Sequence, residues 1–515
     1  MVATMTSRFG LVVGALLVLG STFGANAAEA RGSSPASDAA SAEPERSEQT
    51  LVAWLRAHAA EGVEVSMHEG RAEATYETRA KDTLASIAHA LLPLSETYLW
   101  TDFADELVKA NPTLHAGVKE GTRIVIPSLV RDVPHQGHLA SPKDAAVRGL
   151  YVRGTTAAGH AYLKILDKMA GRGMNAIVLD SKDTDGVLTY HSKVPLAIEA
   201  GATEGAPIAD LARTIRFAHA RGIRVVMRVS CFHDEWMQHH KGKEMSIRGK
   251  WGGVYPIGWL DPANAMAQRY LVDLAKEAMD AGADEVELDY VRYPVIGIKN
   301  ADFHLGKNEI DKTKPEVIRD FVHEMHAVTR ARGVPLSLDI FGVVAQGKRI
   351  DVDMLGQDIA LLGPECEALS PMLYPSHYAK GFLGFEIPGN HPELVGVGTK
   401  GTIAQLALAK EGHALAVVRP WVQAVNYESP DYGPRYLGQE LKSADDNGGT
   451  GWLMWNPSQD YSSAWAAVPM REPSPPSPLS RKGRGGAHDG SLLPSPLAGE
   501  GPGVRARVVL SRTGS

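Results

Sequence analysis

Eight short apolar segments, separated by helical patterns, repeat through residues 148–468. The segments are typical of β-strands and lie at 149–153, 175–180, 223–230, 285–290, 334–341, 366–374, 415–424 and 451–456. Helical patterns between them include 161–172, 208–221, 265–281, 315–332 and 401–412, and several end in Arg-Gly or Ala-Gly. Eight such units predict a (β/α)8 TIM barrel of the α/β class. A doubly wound open sheet is the alternative, but no Gly-x-Gly-x-x-Gly follows the first strand.

The composition leaves room for one large domain and a smaller one. The chain has 515 residues, of which 44% are hydrophobic and 22% are charged, as in ordinary globular proteins. The net charge of −7 gives no reason to expect a nucleic-acid partner. Cys231 and Cys366 fall at the end of one predicted strand and the start of another, so we expect buried thiols rather than a disulfide.

Residues 1–27 have the pattern of a signal peptide. Arg8 precedes an apolar run from Phe9 to Leu19, and Ala25-Asn26-Ala27 offers a cleavage site. The run is short for a membrane span, so we expect a periplasmic or secreted protein with no stable span after cleavage. An uncleaved anchor is the alternative. Two linkers are predicted at 28–73, with a possible short helix, and at 129–147, and a disordered Pro/Gly/Arg-rich tail at 469–515.

Residues 74–128 resemble a LysM domain. The segment Tyr76-Glu-Thr-Arg-Ala-Lys-Asp-Thr-Leu-Ala-Ser-Ile-Ala88 resembles its opening, and Asn111-Pro112 with Val118-x-x-Gly121-x-x-Ile124-x-Ile126-Pro127 resembles its close. Lys81 stands where the family usually has Gly. The resemblance implies a small α+β module of βααβ order that binds N-acetylglucosamine-containing glycans such as peptidoglycan. A folded spacer without glycan affinity is the alternative.

Polar side chains collect where the predicted barrel strands end. The fourth strand lies in Asp284-Glu-Val-Glu-Leu-Asp-Tyr-Val-Arg-Tyr-Pro294, where acids alternate with Val286 and Leu288. Helices cover the outside of a barrel, so these acids face its interior, and Asp289 emerges at the C-terminal end, where barrel enzymes carry their chemistry. Candidate substrate-binding residues at this end are Asp180, Asp183, Arg228, Glu287, Tyr290, Arg292, Tyr374, His377, Tyr378, Gln423, Trp455 and Asn456.

Asp289 and Asp339 are the candidate catalytic pair. They end the fourth and fifth predicted strands, and neighbouring strands are about 4.8 Å apart, so their carboxyl groups are expected at about 5 Å, the spacing of a retaining glycosidase. Arg228 is the expected partner of Glu287 or Asp289, and next to it Asp289 is the expected nucleophile. Asp339, beside Ile340 and Phe341, is the expected general acid with a raised pKa. A structural salt bridge is the alternative role for Asp339.

Aromatic residues near the strand ends favour a sugar site, because sugar rings stack on aromatic faces. They are Tyr151, Tyr290, Tyr293, Tyr374, Tyr378, Trp421, Trp452 and Trp455. We predict no cofactor and no metal. The loop Ser181-x-Asp183-x-Asp185-Gly186 lacks the first and last ligands of a calcium loop, and His233, His239 and His240 fit no zinc spacing. These histidines lie in the long insert 231–262, which is predicted to form a lid or substrate wall.

The main domain resembles the glycoside-hydrolase family catalogued as DUF4015, a TIM-barrel family distantly similar to α-amylase-type hydrolases. The matching segments are Gly149-Leu-Tyr-Val, Asn175-Ala-Ile-Val-Leu-Asp-Ser-Lys-Asp-x-Asp-Gly186, Glu287-Leu-Asp-Tyr-Val-Arg-Tyr-Pro294, Pro371-Met-Leu-Tyr-Pro-Ser-His-Tyr378 and Gly451-Trp-Leu-Met-Trp-Asn456. The resemblance implies carbohydrate hydrolysis, with Asp289 at the position of the amylase-type nucleophile. Asp339 stands where those enzymes have an acidic Glu, and Glu287 where they have Arg.

The sequence therefore predicts an exported glycoside hydrolase. It would cleave O-glycosidic bonds of a cell-wall or extracellular polysaccharide by a two-carboxylate mechanism. One alternative is a non-catalytic barrel that binds glycans or serves as a wall scaffold. A second is a metal-dependent polysaccharide deacetylase that uses Asp180, Asp183 and a nearby His.

Overall fold

The structure, a computed structural model, describes residues 49–134, 137–139, 146–305, 310–409 and 416–469. The predicted signal peptide and nearly all of the predicted C-terminal tail lie outside the described residues. Within these ranges, no helix has both the length and the apolar character needed to span a membrane.

A small α+β module precedes the barrel. Its elements are α1 (49–58), β1 (Val63–His68), β2 (Arg71–Glu77), α2 (Leu84–Leu91), α3 (Trp100–Ala110) and β3 (Arg123–Val125). The strands form one antiparallel sheet in the order β1-β2-β3. Thr83 caps α2 through a reciprocal pair of hydrogen bonds with Ser86. From β2 to β3 the order is βααβ, which is the order that the LysM resemblance implies, whereas glycan binding by the module stays a prediction.

The folded module is larger than the sequence predicts. Residues 49–73, assigned above to a linker, supply α1, β1 and the start of β2. Leu51, Trp54, Leu55 and Val65 are buried in the same apolar core as Phe103. The sequence gives only a weak signal for these elements because each is short. One short helix and one short strand bury little surface until they pack on a neighbour.

A closed ring of eight parallel strands forms the main domain. The strands are β4 (Val147–Val152), β5 (Ala176–Lys182), β6 (Arg224–Ser230), β8 (Glu285–Asp289), β10 (Leu336–Phe341), β11 (Ala368–Met372), the pair β12 (Val417–Val418) and β13 (Trp421–Gln423), and β14 (Gly451–Trp455). The ring closes because β10 pairs with β11 and β14 pairs with β4. Pro420, which has no N–H group, separates β12 from β13 within the seventh strand. The predicted TIM barrel is confirmed.

Helices surround the ring. They are α4 (Gly154–Ala157), α5 (His160–Met169), α6 (Pro195–Glu199), α7 (Leu211–His219), α8 (Glu235–Met245), α9 (Ala265–Asp280), α10 (Lys314–Ala331), α11 (Arg349–Leu355), α12 (Ile359–Leu362), α13 (Leu394–Leu406), α14 (Pro434–Asp446) and α15 (Ser462–Ala467). The helix predicted at 401–412 begins earlier, at Leu394. Its first turns contain Gly396 and Gly398, which have low helix propensity and obscured the pattern.

The insert after β6 is folded onto the barrel. It contains α8 and the short strand β7 (Arg248–Gly249), which pairs with β9 (Ala301–Asp302) from the loop after β8. A buried ion pair between Lys182 and Asp234, with Nζ and Oδ2 2.5 Å apart, joins the end of β5 to the start of α8. The insert 231–262 thus lies beside the strand ends. None of its residues lines the cavity at those ends, so a role as lid or substrate wall stays a prediction.

Below the strand ends, the interior of the barrel is apolar on one side and polar on the other, where Glu285 of β8 pairs with Arg419 from the seventh strand. Val178 on β5 and Val226 on β6 lie in one buried cluster with Leu453 on β14. Two residues further along their strands, Asp180 and Arg228 point to the same side, because strand side chains alternate with period two. Asp180 and Arg228 therefore lie together at the C-terminal end of the barrel.

Candidate active site

A cavity of about 480 Å³ opens at the C-terminal ends of the strands. Five of the predicted charged residues line it, namely Asp183, Arg228, Asp289, Arg292 and Asp339. A wider surface depression of about 930 Å³ lies beside α8 and is lined by none of these five. We place the candidate site in the smaller cavity because it joins the strand-end carboxylates to an aromatic wall.

Arg228 binds the carboxylate of Asp289 through two nitrogens. Nη2 and Nε of Arg228 lie 2.7 and 3.1 Å from Oδ2 of Asp289. The backbone N–H of Tyr290 donates to the other oxygen, Oδ1, over 2.6 Å. Three donors thus hold one carboxylate, and charge-assisted bonds of this kind are the strong ones. The guanidinium comes from β6, the strand that pairs with β8. Position 287 of β8, where amylase-type enzymes have Arg, carries Glu instead.

The same guanidinium joins two further acids. Nη1 of Arg228 lies 2.5 Å from Asp180 Oδ1 and 3.5 Å from Asp183 Oδ1. Asp180 is buried and also accepts a hydrogen bond from the hydroxyl of Tyr151. Burial raises the pKa of Asp180 to about 6, although the charge of Arg228 opposes that shift. Arg228 therefore organises the acids around Asp289.

Of its two expected partners, Arg228 pairs with Asp289 and not with Glu287. The carboxyl group of Glu287 accepts a hydrogen bond from Ser370 over 3.1 Å and lies 3.7 Å from Nη2 of Arg419. Glu287 does not line the cavity; it lies fully buried below it. Arg419 forms its shorter ion pair with Glu285, so the lower acids of β8 are neutralised from the seventh strand.

Asp339 forms a carboxyl pair with Glu287. Burial, the charge of Glu287 and the charge of Asp289 together raise the pKa of Asp339 well above its usual range. Burial and the charge of Glu285 raise the pKa of Glu287 to about 7, although Arg419 and a hydrogen bond from Asp339 oppose this. Two adjacent buried acids cannot both ionise cheaply. Asp339, the member of this pair that lines the cavity, is therefore the carboxyl group disposed to keep its proton.

Asp289 and Asp339 lie side by side at the ends of neighbouring strands. Leu288 pairs with Leu338 in register, and the next residue on each strand is one of the two acids. Oδ2 of Asp289 and Oδ2 of Asp339 lie 3.1 and 3.9 Å from the same atom, Nε of Arg228. The separation of these two oxygens therefore cannot exceed the sum of those two distances. The separation of about 5 Å found in retaining glycosidases lies below that limit.

Aromatic residues form the wall of the cavity. The cavity-lining aromatic residues are Tyr151, Tyr290, Phe341, Tyr374, His377, Tyr378, Trp421 and Trp455. Tyr290 has a φ of 48°, an uncommon backbone conformation for a non-glycine residue and one found at functional sites. Tyr374 stacks on Trp455 with ring centres 5.3 Å apart, and His377 lies 5.3 Å from Tyr427, which is half exposed. Such a wall suits the C–H faces of sugar rings.

Two predicted site residues have structural contacts instead. The amide of Gln423 donates to the carbonyls of Val425 and Tyr427, and Asn456 donates to those of Ala424 and Asp460. Neither side chain lines the cavity. The expected substrate-binding role is therefore corrected for both, because an amide at a strand end satisfies the backbone of the following loop.

Other expectations concern residues outside the cavity. Asp180 lies beneath it, while Trp452 and Tyr293 are buried in the layer between strands and helices. The cavity is also lined by Arg153, Thr184, Val343, Met372 and Pro457, which are not among the predicted site residues. Arg153 carried a usable signal, since it is the polar residue that ends the first predicted strand.

The loop after β5 is held by its own backbone and by neighbouring cations. Asp183 accepts the N–H of Thr184, and Asp185 accepts that of Val187. His233 stacks on Trp259 with ring centres 4.9 Å apart.

Among the described residues, no cluster of three or more His, Cys, Asp or Glu side chains has an arrangement suited to a metal ion. Cys231 and Cys366 are both buried free thiols, as expected.

Comparison with solved structures finds partial likenesses. A hypothetical protein from Ruminiclostridium thermocellum is 31% identical, with a TM-score of 0.33, and the match covers 37% of this chain and 96% of that one. The spore cortex-lytic enzyme SleL of Bacillus megaterium is 11% identical, with a TM-score of 0.37, over 76% of this chain and 85% of that one. The β-amylase catalytic domain of Paenibacillus polymyxa is 10% identical, with a TM-score of 0.41, over 62% and 95%.

Comparison with protein families is more decisive. No curated protein matches the chain. The family DUF4015, described as "Putative glycosyl hydrolase domain", matches residues 149–461, which span the barrel from its first strand to its last. Because this match extends over more than half of the sequence, the chain belongs to the DUF4015 family, and its barrel is a domain of the glycoside hydrolase type.

Proposed function

We propose that this protein is an exported glycoside hydrolase in which Asp289 is the nucleophile and Asp339 the general acid/base. The observation that carries the proposal is the pairing of two unlike carboxyl groups in one aromatic-lined cavity. Asp289 is bound by Arg228, whereas Asp339 keeps a proton because it is buried beside Glu287. Two carboxyl groups in different protonation states are what acid-assisted glycoside cleavage requires.

The proposed reaction begins with a sugar ring against the aromatic wall. Asp339 donates its proton to the glycosidic oxygen, while an oxygen of Asp289 attacks the anomeric carbon. The C–O bond to the leaving sugar breaks, and a glycosyl ester with Asp289 forms. Asp339, now a carboxylate, then removes a proton from a water molecule that attacks the ester, which restores both acids. Arg228 holds Asp289 in position before the attack and after its release.

The proposed substrate is a cell-wall or extracellular polysaccharide. Two features support this assignment, both outside the barrel. The pattern of residues 1–27 is that of an export signal. The module of residues 49–130 contains the βααβ order of a LysM domain, a family that binds N-acetylglucosamine-containing glycans such as peptidoglycan. The module would keep the barrel close to such a polymer and raise its local concentration.

The test is Asp289→Asn in purified protein, measured on a panel of wall and extracellular glycans. We expect hydrolysis to fall by at least about 1,000-fold, because the amide is a poor nucleophile, while retention on the glycan is kept. Asp273→Asn, on the exposed side of α9, is the matched control and should retain full activity. Full activity of Asp289→Asn would refute the mechanism. Glycan retention without turnover by the unmodified protein would instead favour a binding barrel.

A further inference from the structure

Arg292 is a cavity-lining cation held between aromatic rings. Its guanidinium carbon lies 4.8 Å from the ring centre of Trp259, 5.2 Å from that of Tyr290 and 4.7 Å from that of Phe341. The residue is 7% exposed, and its Nη1 donates to the carbonyl of Tyr293 over 2.9 Å. The rings and the carbonyl hold the side chain in one position, so it is organised before any ligand binds.

Among the described residues, Arg292 has no carboxylate partner in an ion pair, unlike Arg228 and Arg419 inside the barrel. Arg228 pairs with Asp289, and Arg419 pairs with Glu285. In the part of the chain that the structure describes, Arg292 forms no ion pair with an Asp or Glu side chain. A buried charge without a counter-ion is costly, and such a group usually has a partner. The partner of Arg292 is therefore expected to arrive with the ligand.

The remaining N–H groups of Arg292 are open to the cavity. A guanidinium has five N–H donors, of which one is used by the Tyr293 carbonyl. Neither Nε nor Nη2 of Arg292 is among the fully buried polar atoms that lack a partner, so both reach space accessible to water, and the cavity lies beside them. Donors fixed at the edge of a binding cavity select for an acceptor group on the ligand.

The charge of Arg292 itself favours an anionic acceptor. Arg153, which is exposed, also lines the cavity. The acids Asp180, Asp183 and Asp289 are gathered around Arg228, and among the described residues none of them forms an ion pair with Arg292. A hydroxyl group would accept a hydrogen bond from Arg292 but would leave its charge unmatched. A carboxylate matches both the charge and the planar fork of the guanidinium, with two parallel N–H···O bonds.

We propose that Arg292 binds a carboxylate of the substrate, so that the glycan processed by this barrel is an acidic one. The inference rests on the proposed function, because it assigns a substrate class to the same cavity. Two kinds of sugar carry such a carboxylate. One is a hexuronic acid, whose carboxylate carbon is bonded directly to the pyranose ring. The other is an amino sugar with a carboxylate on a lactyl ether. Both place an anion a few bonds from a pyranose ring that stacks on the aromatic wall.

The test compares binding of the full chain to a hexuronic acid polymer and to the same polymer after its carboxyl groups are reduced to alcohols. A peptide-free amino-sugar polymer with lactyl ethers forms the third arm and distinguishes the two sources. We expect the acidic polymer of one source to bind about 10- to 100-fold more tightly than its reduced form, the usual effect of a hydrogen-bonded charge pair. Arg292→Gln should remove that preference, so that the acidic and the reduced polymer bind about equally.

Arg292→Lys, which keeps the charge but loses the fork, should retain part of the preference. Arg330→Gln, at the exposed end of α10, is the control and should retain all of it. The unmodified protein overturns the proposal without any variant if it binds neither acidic polymer, or if it binds each acidic polymer no more tightly than the carboxyl-reduced form of that polymer. An equal loss of affinity for both forms in Arg292→Gln also overturns it, because that result indicates a structural role.

Failure of the inference and failure of the proposed function give different results. Binding does not require turnover, so a preference for the acidic polymer without hydrolysis refutes the hydrolase and keeps the role of Arg292. Hydrolysis that is equally fast on acidic and reduced polymers refutes the role of Arg292 and keeps the hydrolase.

Discussion

The indole N–H of Trp421 donates a hydrogen bond to the carboxyl group of Asp339, with Nε1 and Oδ1 2.6 Å apart. Trp421 also lines the cavity, so one side chain from the seventh strand both faces the cavity and orients the proposed acid. A donor of this kind favours the ionised form of a carboxyl group, and it lowers the pKa of Asp339 against the larger effect of burial.

Trp421→Phe should shift the alkaline limb of the pH–activity profile upward. The substitution keeps most of the aromatic surface but removes the N–H donor, so the pKa of Asp339 rises and its proton is kept to higher pH. We expect a shift of up to about one pH unit together with about a tenfold lower maximal rate, because the carboxyl group is less well oriented. A pH–rate profile of the variant measures both, and a limb shifted to lower pH would contradict the assignment.

Asp339→Asn and Asp183→Asn together identify the proton donor. Asp183 lines the cavity on the opposite side of Arg228, and its side chain is 49% exposed. If Asp339 is the acid, its amide variant loses about 10²- to 10⁴-fold in rate, whereas Asp183→Asn loses much less. Substrates with an activated phenolate leaving group should rescue Asp339→Asn, since they need no protonation. The reverse pattern would transfer the acid role to Asp183.

The carboxyl pair of Glu287 and Asp339 should make the protein less stable as pH rises. The pKa of Glu287 is about 7 in the folded protein and ordinarily 4.5, so between these values the unfolded chain releases a proton that the folded protein keeps. The stabilisation is therefore complete below about pH 4.5, declines through this window and is lost above about pH 7, a change on the order of 3 kcal/mol.

Urea unfolding at intervals between about pH 4.5 and 8 measures this slope. Glu287→Gln cannot ionise and removes the charge beside Asp339, so it should flatten the profile of the free energy of unfolding. A variant profile as steep as that of the unmodified protein would show that another group is responsible.

Lys182→Met should destabilise the protein by about 3–5 kcal/mol, because it leaves Asp234 buried without its partner. Thermal or urea unfolding measures the loss. Lys442→Met, which removes an exposed ion pair with Asp446 on α14, should change stability by less than about 1 kcal/mol. The double variant Lys182→Met/Asp234→Asn should recover much of the loss, since the amide introduced at the second position has no charge and can still cap α8. No recovery would place the cost in packing rather than in charge.

Much of the barrel could be predicted from the sequence because its information is local. A strand buried on its outer face shows as a short run of β-branched and apolar residues, and a helix shows as a longer period. The predicted segment 285–290 is β8, and Asp289 does end it. The predicted segment 415–424 also contains Pro420, which has no N–H group to donate. The seventh strand is interrupted there, between β12 and β13.

The placement of site residues in loops was less predictable. The positions of Gln423 and Asn456 at strand ends predict substrate-binding side chains, yet each side chain turns to the backbone of the loop that follows it. Arg292 is also predicted to bind substrate, and it does line the cavity. The difference depends on the path of each loop, and loop geometry is set by contacts with distant segments.

The sequence by itself determined the eight-strand repeat, the end of the barrel that carries polar side chains, and Asp289 as a candidate nucleophile, because strand periodicity dictates which residues face inward. Tertiary structure alone decided how those residues combine. It placed Arg228 between Asp180 and Asp289, and it set Asp339 against Glu287 so that one proton stays in a buried carboxyl pair. The physical reason is that charge, burial and pKa depend on distances across strands, which only closure of the barrel establishes.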